Sequence, residues 1–171
     1  MKKVLLIIAH TGFQPVEYGE TKKVLEEGGV EVVTGSNVPG PAISKTGEEQ
    51  MIEVTLNEVK TQNYDSIFFI GGPGALDNLN NDESYRIIHE IVEMEKSWGA
   101  ICIAPRILAE AGVLEGKKVA GWNEDGELPK ILEEAGATYV PEHVVVDGNL
   151  ITADGPEAAE GFGKAIVEKL K

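Results

Sequence analysis

The chain has 171 residues, of which 42% are hydrophobic and 26% charged, and its formal net charge is −14. That size and balance fit one globular domain spanning residues 1–171, large enough to bury a real core. So acidic a surface repels phosphate backbones and anionic lipids, so no nucleic-acid partner and no membrane partner is expected.

The elements alternate along the chain. Residues 3–9 (KVLLIIA) form a near-continuous apolar run, as a strand buried on both faces requires. The run follows Met-Lys-Lys but breaks at His10 without a small-residue cleavage site, so it reads as a first strand of a cytoplasmic protein rather than a signal peptide. Pro15 suits a first helical turn, residues 16–27 read as a surface helix, and Gly28-Gly29 ends it. A strand follows at 30–33. Residues 37–49, rich in Gly, Pro and Ser, read as an excursion off the sheet with a small hairpin. Thr55 caps a short helix through Val59, and residues 66–70 form a third buried strand ending on Gly71-Gly72-Pro73-Gly74. A helix starting at Asp82 or Glu83 is expected to reach Trp98. A short strand at 100–103 then runs straight into a helix at 105–111 that Gly112 closes. The remainder repeats the pattern: a strand at 117–122, a helix at 127–135, short strands at 138–140, 143–146 and 150–152, and a final helix at 156–170. Asp147-Gly148 marks a hairpin turn between the last two strands. Such alternation predicts an α/β fold with a mostly parallel sheet between helical layers. In that architecture a site forms at the carboxyl ends of the strands, which singles out residues 10–17, 71–74, 102–106 and 120–124.

Cys102 is the only cysteine, so neither an internal disulfide nor a cysteine-rich zinc cluster is available. Free cysteines are commonly buried and inert. The passage from strand to helix with almost no loop favours the other reading, a nucleophile on an elbow. The start of the following helix is expected to lower its pKa. Gly72 and Ile103 would supply two N–H groups as an oxyanion hole. Gly72 and Gly74 open a G-x-G-x-x-G count, but Asp77 stands where its third glycine would fall, so no dinucleotide cofactor is expected. Glu17 has two readings: it caps the first helix, or it faces Cys102 and moves a proton. Of the three histidines only His10 falls at the predicted active edge, and no pair has metal-ligand spacing, so no metal site is expected. Gly71, Pro73, Trp122, Asn123 and Asp154 complete the residues expected to line the site.

Together, residues 3–9, Glu17 after Phe13-Gln14-Pro15-Val16, Ile70-Gly71-Gly72-Pro73-Gly74 and Ala100-Ile101-Cys102 before Pro105 resemble the PfpI/ThiJ family of the class I glutamine amidotransferase-like superfamily. Residues 108–114, 116–119, 146–149 and 154–156 extend the resemblance over nearly the whole chain. It implies a flavodoxin-like α/β/α sandwich, assembly as a homo-oligomer with a dimer favoured, and a Cys102 nucleophile partnered by Glu17. It also implies one of the family's activities: peptidase or amidase, cofactor-free glyoxalase or deglycase, isonitrile hydration, or oxidative-stress sensing. Two departures narrow the choice. Ile103 stands where many PfpI-type members carry a histidine after the nucleophile, and Trp122 stands where the deglycase branch has one. The expectation is therefore a small reactive carbonyl as substrate, with redox sensing or chaperone-like action and peptidase activity as alternatives.

Overall fold

In the computed structural model, which describes residues 1–171, the apolar runs form the interior of one sheet. Strand β1 (Lys3–Ile7) is followed by a short β2 (Thr11–Phe13), helix α1 (Pro15–Glu27) and β3 (Glu31–Ser36). The excursion contributes β4 (Ala42–Ser44) and β5 (Glu49–Gln50), an antiparallel hairpin that joins β2 in a three-stranded sheet of its own. Next come β6 (Val54–Thr55), β7 (Ser66–Phe69), α2 (Ala75–Leu79), α3 (Asp82–Glu93), β8 (Ser97–Ile101) and α4 (Pro105–Glu110). The last third carries β9 (Lys118–Val119), α5 (Leu128–Glu134), β10 (Thr138–Tyr139), β11 (Val144–Asp147), β12 (Leu150–Ala153) and α6 (Ala159–Leu170).

The main sheet has seven strands in the order β11-β12-β8-β7-β1-β3-β6. All its pairings are parallel except the β11–β12 hairpin at one edge. Helices α1 and α6 pack together on one face, and α3, α4 and α5 form a second helical group that reaches β7 and β8. This is the flavodoxin-like three-layer sandwich. Val4 through Ala9 and Ile67 through Ile70 are buried, as strands covered on both faces must be. No helix is long and apolar enough to cross a membrane.

The strand expected at 100–103 is Ser97–Ile101, the last helix begins at Ala159 behind a 3-10 turn, and three elements depart further from the sequence expectation. Helix α3 stops at Glu93, not Trp98. Glu95 adopts φ 55°, and this left-handed turn without a glycine sends the chain into β8, where Trp98 is a buried strand residue. The strand expected at 117–122 shrinks to β9, which pairs with β10 in a separate two-stranded sheet. The reason is that β12 occupies the place beside β8, and the Ala120 N–H goes to the Thr152 hydroxyl at 2.9 Å instead of continuing a ladder. The segment at 55–59 is a single 3-10 turn (Leu56–Glu58) closed by a capping box between Thr55 and Glu58.

Candidate active site

Four strand ends converge where the sheet order predicts a crevice. Strand β8 ends at Ile101, and Cys102 adopts φ 64°, a left-handed conformation that costs a non-glycine residue energy. The surroundings hold it there: the Cys102 N–H donates to Ala153 O at 2.9 Å, and its carbonyl accepts from the Trp122 N–H at 2.7 Å. The chain turns directly into α4, with Pro105 at its first position, and the thiol sits half-buried at the apex.

Glu17 is placed by α1. Gln14 caps that helix, its Oε1 accepting from Val16 N at 2.6 Å and Glu17 N at 3.4 Å, so Glu17 is not the cap. The buried positions Glu17, Tyr18, Thr21 and Leu25 share one face of α1, and Glu17 is fully inaccessible on it. Its Oε1 accepts the Gly71 N–H at 3.0 Å, whereas Oε2 is buried without a nitrogen or oxygen partner and the carboxyl adjoins the Cys102 thiol. Gly71 makes that approach possible: a Cβ there would lie 2.7 Å from both Cys102 Cβ and Glu17 Oε1. Gly72, at φ 126°, is equally constrained, with a Cβ falling 2.4 Å from Gly12 O.

Burial dominates the electrostatics. Desolvation raises the Glu17 carboxyl from 4.5 to about 7, against weaker opposition from its bonds to Cys102 and Gly71 and from the charge of Lys45. Burial also pushes the Cys102 thiol up, and the neighbouring Glu17 charge and hydrogen bond push it further. The Ile103 N–H and Lys45 oppose this. The expectation of a lowered cysteine pKa is thus corrected. Helix α4 spans only six residues, and its field is outweighed by desolvation and by the carboxyl beside the sulfur.

The elbow opens into a cavity of about 430 Å³. Of the residues singled out from the sequence, Cys102, Glu17, Gly72, Ile103, Pro73 and Trp122 line it. Gly71 lies directly behind the Cys102–Glu17 contact. Asn123 faces away, its Oδ1 accepting the Leu128 N–H at 3.0 Å as a start to α5. Asp154 borders an adjoining hollow together with Trp122, where it meets His143 Nδ1 at 3.0 Å. His10 is not among the cavity-lining residues; its backbone N–H goes to Asn37 and its carbonyl receives the Ile43 N–H, tying the excursion to β1. Gln14 and Glu124, inside the expected edge segments 10–17 and 120–124, line the cavity too, as does Pro156 beside Asp154; only Lys45 falls outside every segment the sequence singles out. Gln14 carried a signal, since it stands just before a helix-starting proline; Lys45 on the excursion carried none.

Trp122 is itself held from behind. The Arg106 guanidinium lies 5.3 Å from the centre of its ring and donates to its carbonyl at 3.3 Å, while pairing with both Asp125 oxygens at 2.8 and 2.9 Å.

This set of elements fits a recognised protein class. The sequence model of the DJ-1/PfpI family matches residues 2–169, and the chain belongs to that family. It is 34% identical over 170 residues to an uncharacterised protein of Methanocaldococcus jannaschii, covering 99% of this chain and 82% of that one. An uncharacterised Staphylococcus aureus protein is 32% identical over 174 residues, covering 99% of each. Among solved structures, a ThiJ/PfpI domain protein from Brachyspira murdochii superposes with a TM-score of 0.92 at 29% identity, over 98% of this chain and 95% of that one. Drosophila melanogaster DJ-1beta superposes at 0.89 and 27% identity, over 99% and 90%.

Proposed function

We propose that the protein is a cofactor-free enzyme that isomerises and hydrates small reactive carbonyl compounds, 2-oxoaldehydes above all, through Cys102 and Glu17. The observation that carries this reading is the buried contact between a thiol and a carboxyl whose pKa of about 7 lets it both take and give a proton at neutral pH. The raised thiol pKa favours attack with concerted loss of the proton rather than from a standing thiolate. Glu17 takes the thiol proton as sulfur adds to the aldehyde carbon, then passes it to the new alkoxide, leaving a hemithioacetal. The Gly72 and Ile103 N–H groups are the candidates to hold the developing oxyanion. Glu17 next removes the proton from the first carbon and returns it to the second through an enediol. The result is a thioester of a 2-hydroxy acid; water cleaves it, freeing the acid and restoring the thiol. No oxidant is needed, because the aldehyde carbon is oxidised as the neighbouring ketone carbon is reduced.

Methylglyoxal incubated with the purified protein is expected to yield lactate, and Cys102→Ala to reduce the rate at least 100-fold. Equal rates in wild type and Cys102→Ala overturn the reading. No histidine is among the residues lining the cavity, which leaves an amide hydrolase of the cysteine–histidine type unsupported. A second reading, oxidative sensing, draws on the Glu17 carboxyl that adjoins the thiol and whose Oε2 has no hydrogen-bond partner, a group suited to a hydrogen bond with an oxidised cysteine. Mild peroxide is then expected to add two oxygens at Cys102 by mass spectrometry, and their absence across a range of doses counts against it.

A further inference from the structure

A cavity of about 430 Å³ is much larger than a three-carbon dicarbonyl; it falls in the roughly 300–1,000 Å³ range of clefts that enclose larger ligands. Its polar side chains are Gln14, Glu17, Lys45 and Glu124, of which Glu17 and Lys45 act on the sulfur. The flat apolar surface on the lining is Trp122. This indole has little freedom. Its N–H backbone group is bonded to Cys102 O at 2.7 Å, so the ring's anchor point is fixed relative to the nucleophile. Arg106, almost wholly buried, covers one face of the ring, and its fork is locked onto Asp125 by two bonds. With one face taken by the guanidinium, the surface that Trp122 offers the cavity is its other face and edge.

We propose that Trp122, clamped by Arg106 and Asp125, is a substrate-binding shelf that selects carbonyl compounds carrying a flat, aromatic or conjugated group. A planar group stacks offset on the ring while its carbonyl carbon reaches Cys102; a saturated group of the same bulk fills the space without the stacking gain. Arg106 and Asp125 act through Trp122 as positioning residues. The choice of carbonyl compounds rests on the proposed function above, but the shelf does not, and it is tested without turnover.

Cys102 is the only cysteine, so alkylation reports on this site alone. The probes are N-benzyl-iodoacetamide and N-cyclohexylmethyl-iodoacetamide, which share a warhead and nearly a volume and differ in flatness. The quantity read is the ratio of their second-order rates, which cancels any general change in thiol reactivity. In the wild type the benzyl compound is expected to react roughly three- to tenfold faster. The ratio should fall to about one in Trp122→Leu, survive in Trp122→Phe, and fall by at least half in Arg106→Met and Asp125→Ala. Equal wild-type rates overturn the shelf, as does a ratio that Trp122→Leu leaves unchanged. A ratio retained in Arg106→Met and Asp125→Ala overturns the clamp. Failure to make lactate from methylglyoxal bears on the chemistry of Cys102 and leaves this ratio, and the shelf, as they were.

Discussion

The two sides of the cavity are built by opposite means. On one side Gly71, Gly72 and Glu17 meet the thiol through backbone that has closed around it, with no room for a methyl group. On the other, Trp122 and Asp125 belong to a loop, Trp122 half-buried and Asp125 exposed, and the Arg106 side chain of α4 clamps them. Packed backbone is rigid and resists substitution, whereas a side-chain clamp on a loop can be replaced without rebuilding the sheet. The difference separates a fixed chemical floor from an adjustable wall.

The sharpest way to break the contrast is Gly72→Ala. Its Cβ must displace Gly12 O and Gln14 N, and φ 126° is foreign to alanine. The expected cost is about 3–5 kcal/mol in urea unfolding, or outright loss of soluble protein. A near-neutral result would put the floor on the same footing as the wall.

Glu17→Gln is expected to act in the other direction, with a pH signature. The unfolded carboxyl releases its proton near 4.5 and the folded one near 7. Below pH 4.5 both states are protonated and the raised pKa costs nothing. As pH climbs from 4.5 to 7 the unfolded chain ionises first, so the native state loses stability, and above 7 the loss is complete. Glutamine keeps an oxygen for the Gly71 N–H and cannot ionise. Thermal unfolding should therefore show the variant more stable by about 3 kcal/mol at pH 8, with the advantage gone at pH 4. The same change should abolish lactate formation. A stability difference that does not vary with pH would remove Glu17 as the buried titrating group.

Arg106→Met tests the wall. It removes a guanidinium fork and its stacking, so a cost of about 1–2 kcal/mol is expected in urea unfolding. That is a smaller penalty than on the floor, even though Arg106 is itself buried. Smallest of all is Lys164→Ala, which deletes an exposed pair with Glu160 on α6 and should leave the melting temperature unmoved.

The floor was legible in the sequence and the wall only in part. Buried parallel strands write themselves as apolar runs, and the residues just past them must form the crevice, so Glu17, Gly72 and Cys102 could be named together. The direction of the cysteine pKa was not legible, because burial is a tertiary property and a six-residue helix cannot outweigh it. Lys45 reaches the site from the β4–β5 hairpin, which docks by pairing β4 with β2, the Lys45 N–H donating to Phe13 O at 2.9 Å, a pairing that no local periodicity marks. Trp122 was identified, but the Arg106 clamp behind it joins two segments that no local pattern links. The end of α3 before Trp98 is not legible, because Lys96-Ser97-Trp98-Gly99 shows no apolar alternation and the turn at Glu95 lacks the glycine that usually marks one.

The hydrogen bond from the Cys102 N–H to Ala153 has a consequence for how the protein is made. Cys102 lies just past the middle of the chain, yet the strand that holds its turn in place comes near the end. A ribosome therefore releases Cys102 well before β12 exists to set it. Until then the thiol belongs to an ordinary flexible segment, without the strained turn or its final position against Glu17. The arrangement of Cys102 against Glu17 is complete only with the closing hairpin, when almost all of the protein has already been synthesised.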